Sequence, residues 1–406
     1  MTTTINNEHK KLNVPNSTDR GNVIRNVPHL RFPEFEGEWE DFLINDVCSE
    51  FKSGKNIKAD SISESGEYPV YGGNGLRGYT SSYNHEGLYV LIGRQGALCG
   101  NVRSVNGKTY ITEHAIAAAG NEKSNTSFLH YLFLKMNLGQ YSDQSAQPGL
   151  AVNKLLKLEV SLPPISEQKK IAKLLSLLDE RIATQNKIID KLQSLIKGIA
   201  DNILDNPLWK KTYLRSFMQF FSTNSLSWEQ LSYEEGEIRN LHYGLIHGFL
   251  TRGINSVSLP MIKNEAIPKQ YTLCQVGDVA FADASEDTGE IAKSVEFVDT
   301  IEGDTICGLH TIHGRDIKNR TVVGFKGFAF NSRYFHNQIK RLAQGTKVFS
   351  ITANNLSSCY VYLPDLEKQK AIVKLLRSYE EQLIIGRMIL KQYEKQKQYL
   401  LRQMFI

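Results

Sequence analysis

The chain contains itself twice, and that limits what it can fold into more than any other feature. The segment Leu162-Pro163-Pro164-Ile165-Ser166-Glu167-Gln168-Lys169-Lys170-Ile171-Ala172-Lys173-Leu174-Leu175 returns 201 positions later as Leu363-Pro364-Asp365-Leu366-Glu367-Lys368-Gln369-Lys370-Ala371-Ile372-Val373-Lys374-Leu375-Leu376, with eight of fourteen pairs identical. Asn153 and Leu155 match Asn354 and Leu356 at the same offset. Each half also opens alike: Trp39 is followed by Ile44 and Val47, and Trp209 by Leu214 and Phe217, in the same steps of five and eight. Two copies of one supersecondary plan predict an internal pseudo-two-fold repeat.

A long helix follows each repeat. From Leu175 the a and d positions of a heptad are Leu175, Leu178, Ile182, Gln185, Ile189, Leu192, Ile196, Ile199 and Ile203, apolar at all but Gln185. The second copy reads Leu376, Tyr379, Leu383, Gly386, Leu390, Tyr393, Lys397, Leu400 and Met404, interrupted at Gly386 and Lys397. A seam kept over more than four heptads needs a long partner, and the other copy is the obvious one. Pro163-Pro164 stops a strand and permits a helix start. Each helix spans about 55 to 60 Å at 1.5 Å per residue.

Between the helices lie stretches rich in Gly, Tyr, Phe, Val and Asn, with short apolar runs such as Leu88-Tyr89-Val90-Leu91-Ile92 and Thr321-Val322-Val323-Gly324-Phe325. They read as α/β globules with many hairpins, and Phe128 to Met136 as a short helix in the first. The expected division is a tail over 1–28, a globule over 29–163, a helix over 164–206, a second globule over 207–363 and a helix over 364–406. No apolar run approaches the ~20 residues that cross a bilayer, and the polar N-terminus has no signal-peptide core. Five scattered cysteines, never spaced C-x-x-C, suit a reducing cytosol rather than a disulfide framework.

The catalytic motifs fail one by one. Gly73-Asn74-Gly75-Leu76-Arg77-Gly78 matches G-x-G-x-x-G, but Tyr79-Thr80-Ser81 follows where a helix should begin, so a glycine-rich turn is expected. Gly107-Lys108-Thr109 lacks the first P-loop glycine, since position 102 is Val102. Glu50-Phe51-Lys52 and Glu167-Gln168-Lys169 each end like a nuclease E-x-K signature, a tripeptide common by chance. Cys307, His310 and His313 lie close together without a fourth ligand, and satisfied histidines are the expectation there. No methyltransferase Asn/Asp-Pro-Pro-aromatic motif is present. The chain is expected to bind, with no catalytic residue and no metal site.

Local charge then points to a ligand. The net charge is only +5, too small to identify a partner. However, residues 277–304 carry nine acids and only Lys293 as a base, while 305–347 carry eight bases against Asp316. Phe325, Phe328, Phe330, Tyr334, Phe335 and Phe349 are threaded through or beside that basic run. In the first globule Lys52, Lys55 and Lys58 cluster, Asn74 and Arg77 sit in the glycine loop, and Arg94 and Gln95 follow a strand. In the second the candidates are Arg252, Arg315, Lys318, Arg320, Arg333, Gln344, Thr346 and Lys347. Lys and Arg serve phosphates, while Arg, Asn and Gln can read base edges. Together these predict a nucleic-acid face on each globule.

Two dissimilar globules, each followed by a helix opening near L-P-P-x-x-E-Q-x-x-I, resemble the specificity subunit of a type I restriction–modification enzyme. The residues that carry the resemblance are Leu30-Arg31-Phe32-Pro33-Glu34-Phe35-Glu36-Gly37-Glu38-Trp39, Tyr68-Pro69-Val70-Tyr71-Gly72-Gly73-Asn74-Gly75, Ile92-Gly93-Arg94-Gln95-Gly96-Ala97 and Leu162 to Ala172. The second helix departs from the pattern at Asp365 and Lys368. The resemblance implies two target-recognition domains, each reading half of a split, asymmetric target in double-stranded DNA, with the helices packed as an antiparallel coiled coil that sets the spacer. It implies docking of two modification (methyltransferase) subunits carrying S-adenosylmethionine, then restriction/translocase subunits using ATP and Mg²⁺, in the cytoplasm. None of those cofactors is expected on this chain. A coiled-coil protein scaffold that reads no DNA remains the alternative, and it leaves the basic segments unexplained.

Overall fold

A computed structural model describes residues 26–142, 149–247, 258–299, 301 and 303–406. Contacts divide the chain into two units, Met1–Gln185 with Ile389–Ile406, and Asn186–Met388. Each unit therefore holds one globule and a part of both long helices.

In the first unit, β1 (Glu40–Leu43) pairs with β10 (Glu159–Leu162) where the globule meets the helix. One four-stranded sheet has the order β2-β9-β6-β7, from β2 (Cys48–Ser53), β6 (Tyr89–Gly93), β7 (Val102–Val105) and β9 (Ala115–Gly120). The other has the order β4-β3-β8-β5, from β3 (Tyr68–Gly72), β4 (Gly75–Thr80), β5 (His85–Glu86) and β8 (Lys108–Ile111), with β3 and β8 parallel. The continuous apolar run of β6 is a strand covered on both faces. Val90 and Ile92 face the helix Thr126–Met136 in one core, while Leu91 packs with Ile111 and Ala117 toward the other sheet. Trp39, Phe128 and Phe405 close the helix side, with centroids 6.1, 6.4 and 5.1 Å apart; such pairs add ~0.5–1.5 kcal/mol each beyond burial.

The second unit repeats this plan. β11 (Lys210–Tyr213) pairs with β22 (Tyr360–Leu363). One sheet has the order β12-β20-β16-β18, from β12 (Met218–Phe221), β16 (Val279–Ala282), β18 (Ser294–Glu296) and β20 (Thr311–Asp316). The other has the order β13-β15-β14-β19, from β13 (Leu231–Ser232), β14 (Arg239–Leu241), β15 (Met261–Ile262) and β19 (Thr305–Cys307), with β14 and β19 parallel. A further pair joins β17 (Ala284–Ser285) to β21 (Phe349–Ser350). Register matches residue for residue: Leu91 faces Ala117 as Ala280 faces His313. The tryptophan echo also has a structural basis, because Ile44, Val47, Leu214 and Phe217 are all core residues after the first strand of their half.

The long helices are Ile165–Leu204 and Leu366–Gln403, and no residue of either predicted seam is exposed. In the first unit the start of the central helix packs on the end of the C-terminal one, with Asp179 Oδ1 2.6 Å from Lys397 Nζ. In the second unit Ala200 and Leu204 pack with Ile372, Val373 and Leu376. Those pairings run antiparallel. Lys397, which breaks the seam, is satisfied by Asp179 and lies over the Tyr131 ring.

The duplicated glutamine does one job twice. Gln168 Nε2 donates to the Lys123 and Pro163 carbonyls, and its Oε1 accepts from the Asn125 N–H. Gln369 Nε2 donates to the Arg320 and Pro364 carbonyls, and its Oε1 accepts from the Val322 N–H. The departures in the second copy have local causes. Asp365 accepts from the Lys368 N–H and so caps its helix. Glu167 is fully buried because Arg31 grips it at 2.7 and 2.8 Å, whereas Lys368 in its place is exposed.

Candidate nucleic-acid interface

In the first unit β3, β4, β6 and β9 all reach one end, and backbone bonds lock their tips together. The Arg94 N–H bonds to the His114 carbonyl at 2.9 Å, and a Cβ on Gly73 would stand 2.7 Å from that carbonyl oxygen and 3.3 Å from the Gly93 Cα. Only glycine allows this approach of backbone to backbone. Gly75 has φ +109°, and a Cβ there would strike the Arg103 guanidinium at 2.4 Å. A Cβ on Gly72 would meet the Arg77 Cδ at 2.9 Å and the Thr112 Oγ1 at 3.4 Å, and Lys55 bridges to Thr112. The G-x-G-x-x-G match is thus a hairpin turn, as the sequence predicts. It gathers Lys55, Asn74, Arg77, Arg94 and Gln95, and it adds Arg103 and His114, which sequence reading missed.

Among the described residues, Lys55, Arg77, Arg94 and Arg103 form no ion pair with an acid. Asn74, Arg77 and Gln95 are exposed, and His114 Nδ1 lies 3.1 Å from Gln95 Oε1. Lys52 stands farther back on β2, its Nζ 3.3 Å from Glu50. Burial pushes the Glu50 carboxyl up, but hydrogen bonds from His85 and Lys52 outweigh it and leave it below its usual range. The E-x-K tripeptide is therefore a closed ion pair and not an open metal centre.

The second unit has the same tip with different chemistry. The Asp283 N–H bonds to the His310 carbonyl (3.0 Å) and the Ile351 N–H to the Asp283 carbonyl (2.9 Å). The first unit has Arg94 to His114 and Leu150 to Arg94, both 2.9 Å. Asp283 thus stands where Arg94 does. His310 Nδ1 lies 3.1 Å from Asp283 Oδ1, and Tyr243 meets the His310 ring edge-on at 5.3 Å. Gln344 pairs with Ser350 beside this tip, on a turn that exposes Thr346 and Lys347.

The basic run 305–347 is not one surface. Phe325, Phe328, Phe330 and Phe335 are core residues. Lys326, 2% exposed, pairs with the fully buried Glu296 at 2.8 Å. Arg315 closes on Asp278 at 2.8 and 2.7 Å and lies over the Phe221 ring. Lys318 and Arg320 are exposed, but they follow the end of β20 opposite His310, and Arg320 meets the helix start through Gln369. Arg333 opens the helix Arg333–Leu342, its N–H bonded to Asp201 of the central helix at 2.6 Å. Arg252 lies outside the described residues. The elements explain the scatter: only Arg315 lies on a strand, while Lys326, Arg333, Lys340 and Arg341 are on helices and Lys318, Arg320 and Lys347 are in loops, so one run in sequence is dealt to different parts of the globule.

The model for type I restriction modification DNA specificity domains matches residues 36–194 and 310–395, more than half of the chain. The chain belongs to this specificity family. It is 42% identical over 154 residues to the EcoprrI specificity subunit of Escherichia coli, covering 37% of this chain and 38% of that protein. Against the MjaVIII specificity subunit of Methanocaldococcus jannaschii it is 25% identical over 91% of both chains. A Haemophilus influenzae relative, a putative specificity subunit, is 30% identical over 35% of this chain and 37% of its own length. The chain therefore covers well under half of the E. coli and H. influenzae relatives. The S subunit from M. genitalium superposes with a TM-score of 0.62 at 16% identity, covering 94% of this chain and 99% of that one. A chain solved in work on complex assembly and conformational transition of the type I R-M system gives 0.54 at 15% identity, covering 91% and 97%. At such identities the likeness is one of fold, and it carries the arrangement of two α/β globules linked by long helices. The chemistry at each specificity-family tip is this chain's own.

Proposed function

We propose that the chain is the non-catalytic DNA-recognition subunit of a type I restriction–modification enzyme, each globule reading one half of an asymmetric bipartite target. One observation carries the asymmetry: homologous tips present Arg94 with Arg77 and Arg103 in one unit, and Asp283 with His310 in the other. Arginine suits guanine O6 and N7, Asn and Gln suit adenine, and an aspartate accepts from cytosine N4. Two such tips favour different bases.

In this reading Lys55, Asn74, Arg77, Arg94 and Gln95 serve the first half-site, and Gln344, Thr346, Lys347 and Arg252 the second. Lys52, Lys318, Arg320 and Arg333 are left as backbone contacts, and Arg315 positions Asp278. Residues 29–163 and 207–363 are the reader domains, 164–206 and 364–406 the spacer helices and 1–28 the tail. Two modification subunits would dock on the repeated helix starts and supply S-adenosylmethionine, and restriction/translocase subunits would supply ATP and Mg²⁺. No helix among the described residues is long and apolar enough to cross a membrane, in keeping with a cytoplasmic enzyme.

The test is the methylome of cells expressing this chain with its modification subunits. An asymmetric split motif is expected, and palindromic sites alone would refute the reading. A scaffold that reads no DNA would show no retarded band, whereas phosphate contacts give a steep fall of affinity with salt.

A further inference from the structure

Between the two sheets of the second unit lies a set of soft donor atoms that DNA reading does not use. Cys274 bonds through its N–H to the Thr305 carbonyl at 2.8 Å, Cys307 ends β19, and His313 lies within β20. All three are buried, and their donor atoms lie within 4.8 Å of one another. The two sulfurs are 3.6 Å apart. A disulfide needs ~2.05 Å, while two thiolates sharing a tetrahedral zinc at ~2.3 Å stand ~3.8 Å apart.

The imidazole is already held as a metal ligand is held. His313 Nε2 lies 2.7 Å from Asp278 Oδ2, and Asp278 is fixed in turn by Arg315 and by the Gln275 N–H at 2.8 Å. A carboxylate on one ring nitrogen is the usual partner of a histidine whose other nitrogen binds metal. His310, close in sequence, takes no part, because its ring turns to Asp283.

The first unit provides an internal comparison. Register places Asn84, Ile111 and Ala117 where Cys274, Cys307 and His313 stand. There Asn84 bonds the Ile111 carbonyl at 2.9 Å and accepts from its N–H at 2.8 Å. The fold closes without soft ligands in one copy. In the other, three residues from three separate segments are all metal donors.

We propose that Cys274 Sγ, Cys307 Sγ and His313 Nδ1 bind one zinc-class divalent cation, which ties the two sheets of the second globule together. Binding releases the two thiol protons, so the thiolates neutralise the ion.

The test uses the full chain, purified without chelator alongside its modification subunits. Elemental analysis should find about one zinc per chain. Cobalt exchange should give a thiolate-to-cobalt charge-transfer band. Cys274→Ala and Cys307→Ala should each lose both signals, while Cys359→Ala, at a buried thiol elsewhere, keeps them. Zinc below a tenth of an equivalent with no cobalt band in the folded wild type overturns the proposal. So does a native Cys274–Cys307 disulfide, or full zinc retention in Cys307→Ala. If the alanine variants do not fold, the wild-type cobalt titration decides alone.

Discussion

Gln168→Ala and Gln369→Ala make a matched pair of perturbations, because the duplication puts one side chain into two copies of the same socket. Each glutamine is fully buried and satisfies three backbone groups, two carbonyls and one N–H. At ~1 kcal/mol net per bond the loss is about 3 kcal/mol, and roughly twice that if the three groups stay dry. For units of some 200 residues, ~3 kcal/mol lowers the melting temperature by about 6 to 12 °C. Two units need not unfold as one, so hydrogen exchange resolved by segment is the appropriate assay. Gln168→Ala should open the amides around 121–133 and leave 320–330 as in the wild type, and Gln369→Ala should do the reverse. The double variant should show the sum, since distant independent sites add. A cost below about 1 kcal/mol in either copy, or a loss in one copy only, would refute the symmetric socket.

Arg94→Ala should weaken binding by about 1–3 kcal/mol and relax the first half-site alone, read by methylome sequencing and competition gel shift. Lys326→Ala strands the fully buried Glu296 carboxylate and should cost about 3–5 kcal/mol, with Lys326→Met plus Glu296→Leu recovering most of it in denaturant titration. Burial, aided by Lys397 and opposed by Asp179, lowers the His130 pKa from 6.5 to about 4. Its neutral form is favoured by the fold, so this stability is whole above pH ~6.5 and is lost as pH falls toward 4, up to about 3 kcal/mol at ~1.4 kcal/mol per unit. His130→Gln should flatten melting temperature across that window. Inserting residues into both long helices, near Gln185 and Gly386, should change the spacer of the methylated motif and neither half-site sequence.

Much of the helix architecture was legible in the sequence because it is local and periodic. The seams from Leu175 and Leu376 matched burial position by position, including the weak points Gly386 and Lys397. Lys397 looked like a flaw because its partner, Asp179, lies 218 residues away. The basic run failed for the opposite reason. Composition counts charges along the chain, whereas the fold distributes them among helices, loops and a strand. Lys326 went to a buried ion pair and Arg315 to Asp278, while Lys347 went to the tip. The acidic block over 277–304 supplied Asp283, the counterpart of Arg94.

From sequence alone came the duplication, the two long helices, the absence of catalytic motifs and the family resemblance, since repeats, heptads and short motifs are properties of residue order. Only the tertiary structure decided which side chains share a tip, that Arg94 and Asp283 are equivalent, and that Cys274 meets Cys307 and His313. Those facts rest on strand register, and register is set by long-range hydrogen bonds between segments whose separation in the chain carries no periodic signal.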